Sequence, residues 1–180
     1  MDGRLTVRIG IGGWTYEPWR GVFYPDGLVQ RRELEYAAQH LTAIEINATF
    51  YGRQKPASWR KWGEAVPEGF QFTVKASRYS TARKVLAEGA DSIEKFLNQG
   101  FTELGDKLGP ILWQFAPTKH FERDDFARFL DLIPDSQDGV PLRHALEIRH
   151  ESFEDPTFFE LARARNMAGG FADSGDDPCI

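Results

Sequence analysis

Two glutamates, Glu45 and Glu147, occupy the same local sequence pattern in distant parts of the chain. The segments AIEIN (43–47) and ALEIR (145–149) both read alanine, aliphatic residue, glutamate, isoleucine, polar residue. In each segment the polar positions alternate with apolar ones, which is typical of a β-strand with one apolar and one polar face. A carboxylate within such an apolar segment is costly to bury unless it is paired, hydrogen-bonded or used in chemistry. The repeated pattern therefore predicts two paired, hydrogen-bonded or functional carboxylates, or else partly exposed strands whose polar sides face water.

These two segments belong to a longer series of alternating strands and helices. Predicted strands cover 7–12, 43–47, 70–75, 111–115, 144–149 and 168–173. Between them, helical periodicity covers 30–41, 56–66, 91–108, 126–133 and 156–162, with Asp91 as an expected helix cap. Regular alternation of this kind predicts an α/β fold with a parallel sheet and helices outside it.

Polar residues recur near the carboxyl ends of the predicted strands, and they favour one of two parallel-sheet architectures. The strands of an open doubly wound sheet meet helices on both faces and are apolar on both. A TIM-type (β/α) barrel instead directs polar residues towards one mouth. The residues concerned are Glu45, Asn47, Lys75, Gln114, Glu147, Arg149 and Asp173. The sequence therefore predicts a TIM-type barrel.

Composition narrows the class of protein. The 180 residues are 41% apolar and 13% aromatic, enough for one folded domain with its own core. No apolar run reaches the length that spans a bilayer. The single cysteine, Cys179, offers neither a disulfide framework nor a thiolate metal site, and a reducing, cytoplasmic location is expected. The sequence carries no signal for an oligomeric state.

Charge is unevenly distributed along the chain. Residues 1–84 contain 13 Lys and Arg against 8 Asp and Glu, whereas the remainder contains 9 against 19, for a net charge of −5. A basic half can attract an anionic ligand or a nucleic-acid backbone. The acidic total nevertheless argues against general nucleic-acid binding, so the expected partner is a small polar or phosphate-bearing molecule.

Familiar nucleotide and nucleophile motifs do not fit this sequence. The Gly10-Ile11-Gly12 segment suggests a dinucleotide fingerprint, but Thr15 stands where the third glycine is required, and Pro18 interrupts the helix that would receive the pyrophosphate. The sequence also has no phosphate-binding P-loop, nucleophile elbow or recognisable Ser-His-Asp order.

Several long motifs resemble the signatures of the YecE-like family, domain of unknown function 72. They are GWTYEPWRGVFYP (13–25), EINATFY (45–51), VKA (74–76), WQF (113–115) and EIRHESF (147–153), so that the resemblance runs from about Val7 to Asp173. It implies a TIM-type barrel and no established reaction. Members of the family continue through two further strands, so the resemblance also implies that this domain, residues 1–180, is incomplete after its sixth strand.

The first functional hypothesis is acid/base chemistry at the barrel mouth. Glu45 and Glu147 would be the acid/base pair, with Lys75 holding an oxyanion or acting as a base. Asn47, Gln114 and Arg149 would orient the substrate, with Trp14, Tyr16 and Tyr51 as an aromatic wall. The competing structural interpretation is a neutral network, in which Glu45, Glu147, Lys75 and Arg149 simply fill the barrel.

Two other functional classes remain open at this point. By analogy with endonuclease-IV-type barrels, Glu45, Glu147 and Asp173 would hold a divalent metal ion for phosphodiester hydrolysis, although no cofactor is required by the sequence. A non-catalytic binding protein would instead use basic residues near one end of the sheet to hold an anion. These residues are Arg20, Arg53, Lys75, Arg78 and Arg149.

Overall fold

Strands and helices alternate along the residues that the computed structural model describes, 6–172. The strands are β1 (Gly10–Gly12), β2 (Ala43–Ile46), β3 (Gln71–Lys75), β4 (Leu108–Gln114), β5 (Ser136–Gln137), β6 (Val140–Pro141), β7 (His144–Glu147) and β8 (Ala168–Gly170). The α-helices are α1 (Glu33–His40), α2 (Ala48–Tyr51), α3 (Pro56–Glu64), α4 (Arg78–Thr81), α5 (Ala90–Leu97), α6 (Arg123–Asp131) and α7 (Pro156–Ala164). Short 3-10 helices cover Glu17–Trp19, Gln30–Arg32, Leu86–Gly89, Phe101–Lys107 and Glu151–Phe153.

Six of the strands form one parallel sheet in the order β1-β2-β3-β4-β7-β8. Spatial order follows chain order, so each connection returns the chain to the neighbouring strand. The remaining two strands, β5 and β6, form a small antiparallel hairpin that the sequence did not predict. The predicted α/β class is confirmed. Over the described residues the sheet is open, with β1 and β8 as its edges, and its closure into a TIM-type barrel is not observed.

One face of the sheet is apolar and packs against the helices. Ile44 and Ile46 of β2 are fully buried, as their alternation with Glu45 predicted. Trp113 of β4 lies on this face, with its ring 5.8 Å from that of Phe96 in α5 and 5.7 Å from that of Phe129 in α6. Aromatic rings at these separations contribute packing energy beyond the area they bury. This helix-covered face is the core of the molecule.

The opposite face, here called the polar face, is only partly buried. Glu45, Thr73, Lys75 and Gln114 point to this side, since they alternate with the buried residues of β2, β3 and β4. Its side chains keep contact with solvent. The sheet therefore separates an aromatic core from a polar surface.

The predicted helix over 91–108 is wrong. Helix α5 ends at Leu97, and Gly100 then adopts a left-handed backbone with φ of +88° before the 3-10 helix Phe101–Lys107 begins. A Cβ at Gly100 would lie 3.1 Å from Cγ of Pro56, so glycine also permits close packing here. Asp91 does not cap α5 either, because the helix starts one residue earlier and Gly89 is its N-cap.

Strand boundaries also differ from the prediction. Strand β4 begins at Leu108, before the predicted start at 111, and includes Pro110. A Cβ at Gly109 would lie 2.7 Å from the carbonyl oxygen of Phe72, so glycine allows β3 and β4 to approach there. The outer strands are shorter than predicted, at Gly10–Gly12 and Ala168–Gly170.

Two helix starts agree with the prediction, and two helices were missed. Pro56 opens α3, and Asp155 caps α7 by accepting a 2.7 Å hydrogen bond from the backbone N–H of Thr157. The missed helices, α2 and α4, have four residues each and follow β2 and β3 almost directly. They matter for the site, because they carry side chains over the carboxyl ends of those strands.

Among residues 6–172, no helix combines the length and the apolar character that crossing a membrane requires.

Candidate acid/base site on the polar face

The polar face brings together the side chains that the sequence placed near strand ends. Glu45 lies on β2, Lys75 ends β3, Gln114 ends β4 and Glu147 ends β7. Because all four strands run parallel, their carboxyl ends meet at one edge of the sheet. This is the edge at which ligands bind in open and closed α/β sheets.

Glu147 is held by several donors. Gln114 is its register partner across β4 and β7, and its Nε2 donates a 2.6 Å hydrogen bond to Oε1 of Glu147. Arg149 donates to the same oxygen from Nε at 2.7 Å, and its Nη2 lies 2.6 Å from that oxygen as an ion pair. The Glu147 side chain is 12% exposed and that of Arg149 is 28% exposed. Short, charge-assisted bonds of this kind fix a carboxylate in place.

Glu45 is held much less tightly. Its Oε1 lies 3.9 Å from Nζ of Lys75, beyond hydrogen-bond distance, and its side chain is 24% exposed. The Lys75 ammonium also lies 5.3 Å from the centroid of the Phe50 ring, so it makes a cation–π contact in addition to its ion pair with Glu45. Glu45 therefore retains room to accept a proton or a ligand.

The surroundings of Glu45 raise its pKa. Burial raises the pKa of the Glu45 carboxyl above its usual range, the Lys75 ammonium lowers it, and the negative charge of Glu147 raises it again. Two carboxylates in environments that differ in this way are the usual basis for dividing acid/base roles within one site. Glu45 pairs with Lys75, and Glu147 pairs with Arg149. The two carboxylates therefore have different cations as partners.

The glycine-containing loop after β1 wraps the end of β2. The backbone N–H of Gly13 donates to the carbonyl of Glu45 at 2.8 Å, and the hydroxyl of Tyr16 donates to the carbonyl of Gly12. A Cβ at Gly12 would lie 2.8 Å from Nδ2 of Asn47, so glycine lets the Asn47 amide approach this loop. Tyr16 and Asn47, both predicted site residues, thus adjoin the site next to Glu45.

Helices α2 and α4 place a second group of predicted residues beyond Lys75. Tyr51 of α2 is 67% exposed, and the guanidinium of Arg78 in α4 lies 5.8 Å from the centroid of its ring. Thr49, which the sequence analysis missed, is buried and lies within hydrogen-bond distance of two carbonyls, that of Lys75 at 2.6 Å and that of Ile46 at 2.9 Å. Its hydroxyl ties the end of β2 to the end of β3.

Two predicted site residues, Trp14 and Arg20, are not brought to this edge. The Trp14 ring packs 5.3 Å from Trp62 and 6.5 Å from Phe72, on the helix-covered side of the sheet. Arg20 donates from Nε to the fully buried carboxylate of Glu33 at 2.8 Å, as a structural ion pair. Asp173 lies outside the described residues. The aromatic wall of Trp14, Tyr16 and Tyr51 is therefore not assembled as expected.

The histidines occupy structural positions. His144 is buried, its Nδ1 accepts from Nε1 of Trp113 at 3.2 Å, and burial lowers its pKa. The rings of His120 and His150 lie 3.9 Å apart, and Nδ1 of His150 accepts from the backbone N–H of Ser152. Within residues 6–172 no group of three or more His, Cys, Asp or Glu side chains could hold a metal ion. The metal hypothesis thus depends on Asp173, beyond the described part.

The architecture and the site define a class: an α/β protein with a sequential parallel sheet and a polar site at its carboxyl edge. The chain belongs to the family of proteins of unknown function DUF72, whose family model matches residues 8–178. The resemblance found in the sequence motifs is thereby confirmed.

One curated relative and two solved structures are similar to this chain. The UPF0759 protein YunF of Bacillus subtilis (strain 168) is 28% identical over 180 residues, which cover 97% of this chain and 62% of the relative. Two crystal structures of a DUF72 family protein from Enterococcus faecalis V583 are each 20% identical, with TM-scores of 0.66 and 0.65. They cover 91% and 96% of this chain, and 60% and 66% of the solved chains. The chain thus spans less than two thirds of the length of these relatives.

Proposed function

We propose that the polar face is an acid/base site for a small polar, anionic ligand. In this proposal Glu45 exchanges the proton, and Lys75 and Arg149 supply positive charge. Burial, together with the negative charge of the fixed Glu147 carboxylate, keeps the pKa of Glu45 high. The observation that carries the proposal is the contrast between the two carboxylates: Glu147 is held by bonds of 2.6 and 2.7 Å, while Glu45 is 3.9 Å from its cation and has a raised pKa.

We further propose that the six-stranded sheet is part of a TIM-type barrel. Three features support this: the sequential parallel order, the polar face opposite the helices, and the matched relatives that are longer than this chain. In such a barrel the polar face would turn inwards, and Glu45 and Glu147 would share one mouth.

Sulfate is the probe that tests the proposal, because its charge stays constant over the pH range in which carboxyl groups titrate. Binding would be followed as the sulfate-dependent rise in Tm, from about pH 8 to about pH 5. Protonation of Glu45 removes a negative charge from the site, so sulfate binding should strengthen as the pH falls through the raised pKa of Glu45.

Two variants and one control sharpen this experiment. Glu45→Gln should bind sulfate with little change between those pH values, and Lys75→Gln should bind it weakly throughout. Glu35→Gln removes an exposed carboxylate of α1 that pairs with Arg32, and this variant should behave like the unmodified protein. The proposal would be overturned if both Glu45→Gln and Lys75→Gln bound sulfate like the unmodified protein, or if sulfate did not raise the Tm at all.

A further inference from the structure

Aromatic rings and cations alternate along the surface that leads outwards from Lys75. The Lys75 ammonium lies 5.3 Å from the Phe50 ring, and the Phe50 and Tyr51 rings are 5.1 Å apart. The guanidinium of Arg78 then lies 5.8 Å from the Tyr51 ring and 5.2 Å from the Tyr79 ring. Helices α2 and α4 carry four of these five residues, and the fifth is Lys75 at the end of β3. We call the five residues together the Tyr51–Tyr79 surface.

The two tyrosine rings of this surface are accessible to a binding partner. Tyr51 is 67% exposed and Tyr79 is 57% exposed, so most of each ring is in contact with solvent. The Arg78 guanidinium contacts both exposed rings, and a contiguous exposed patch is a better sign of a binding site than single exposed rings are. The rings contribute little to the core of the domain.

The surface carries two cations: Lys75 lies 3.9 Å from the Glu45 carboxylate, whereas Arg78 makes no carboxylate contact within residues 6–172. Among the described residues, the contacts of Arg78 are with tyrosines: the two rings, and the Tyr79 hydroxyl that accepts from its Nη2 at 3.3 Å. All members lie in residues 1–84, the half of the chain with 13 Lys and Arg against 8 Asp and Glu. The matching partner carries negative charge and planar rings.

A basic cavity continues from Tyr79. Its volume is about 400 Å³, and its lining includes Arg53, Arg83, Lys95 and Tyr79. Asp91 also lines it, but this carboxylate is paired with Lys95 at 2.7 Å, so the remaining charge is that of the two arginines. These two arginines are placed to contact the phosphate groups of a bound chain that extends beyond the aromatic rings.

We propose that the Tyr51–Tyr79 surface binds single-stranded nucleic acid. Proteins that hold single strands combine exposed aromatic rings, on which bases stack, with cations that follow the phosphates. The succession of more than one ring and more than one cation along an open surface fits several successive nucleotides. A lone mononucleotide would instead be expected in a concave pocket. The proposal goes beyond the acid/base site and does not require its chemistry.

Fluorescence anisotropy with labelled oligothymidylate and oligouridylate tests the proposal. The unmodified protein should bind at low salt, and binding should weaken as salt rises. Tyr51→Ala and Tyr79→Ala should each weaken binding about fivefold or more, because each removes a stacking ring. Arg78→Gln should weaken it and also lower the slope of log affinity against log salt by about 0.7, the value for one phosphate contact to a single strand.

Matched controls separate this surface from general charge or ring effects. Arg60→Gln removes an exposed arginine of α3, and Phe159→Ala removes a partly exposed ring of α7. Both should bind like the unmodified protein. Absence of oligonucleotide binding would overturn the proposal. So would full binding by both tyrosine variants, equal losses in the controls, or a free mononucleotide that binds as tightly as the strand.

Discussion

Glu45 and Glu147 stand in matching strands at the same edge of the sheet, yet their surroundings differ. Gln114 and Arg149 both donate to Glu147 at less than 3 Å, whereas the nearest approach of the Lys75 ammonium to Glu45 is 3.9 Å. Burial without tight hydrogen bonding leaves Glu45 with a raised pKa. The strand pattern thus sets the face to which a carboxylate points, while the donors around the carboxylate set how firmly it is held in place.

Neutralising the tightly held carboxylate of Glu147 should have the largest effect on the free energy of unfolding. Glu147→Gln keeps the shape of the side chain but removes the charge that Arg149 and Gln114 bind. Hydrogen bonds to a charged group contribute about 1.5–3 kcal/mol, so the free energy of unfolding at neutral pH should fall by about 2 kcal/mol. Urea unfolding measures this change. An unchanged midpoint would show that the short bonds around Glu147 do not stabilise the fold.

A smaller loss is expected when the ends of β2 and β3 are untied. Thr49→Val removes the buried hydroxyl shared by the carbonyls of Lys75 and Ile46, and should lower the free energy of unfolding by about 1 kcal/mol. Thr102→Val serves as the control, since its hydroxyl contacts Asp138 at the exposed surface and its loss should cost less than about 0.5 kcal/mol. Equal effects in the two variants would show that the Thr49 hydroxyl does not stabilise the ends of β2 and β3.

The smallest effect should have the opposite sign. Burial raises the pKa of Glu45 in the folded chain above the ordinary value of 4.5 that applies to the unfolded chain, so ionisation of Glu45 opposes folding. The folded state therefore binds the proton more tightly, so falling pH favours folding. Glu45→Gln should therefore unfold at slightly higher urea than the unmodified protein at pH 7, and this advantage should disappear as the pH falls through the raised pKa.

Urea midpoints taken across the pH range check this prediction, with Glu35→Gln as the control of opposite sign. Hydrogen bonding to Arg32 lowers the pKa of Glu35, so its ionised form favours folding and the variant should be slightly less stable at neutral pH. A Glu45→Gln variant that is less stable than the unmodified protein at every pH would mean that Lys75 holds Glu45 as firmly as Arg149 holds Glu147.

The sequence predicted the sheet and the edge on which the site lies. Alternation identified Ile44 and Ile46 as core residues, and parallel strands must bring Glu45 and Glu147 to one edge. It did not distinguish the two glutamates, because their donors come from other strands and from side-chain rotamers. Local pattern alone cannot show that Gln114 reaches Glu147 while Lys75 stays 3.9 Å from Glu45.

Other errors have equally local causes. Helix α2 has four residues, too few to show helical periodicity, so Thr49 was missed as a site residue and Phe50 as the ring facing Lys75. Apolar residues continue beyond Gly100 because the 3-10 helix that follows also packs on the core, which made two elements look like one helix. Trp14 was assigned to the site from its loop, but an indole of that size finds its partners in the helix layer.

The most direct test of the account is the carboxyl titration of Glu45, followed by ¹³C NMR of labelled glutamate side chains. The account predicts a pKa for Glu45 above its ordinary value of 4.5. It also predicts that this pKa falls in Glu147→Gln, which removes a neighbouring negative charge, and rises in Lys75→Gln, which removes the cation. A Glu45 carboxyl that titrates at or below its ordinary value, unaffected by either substitution, would contradict the central claim.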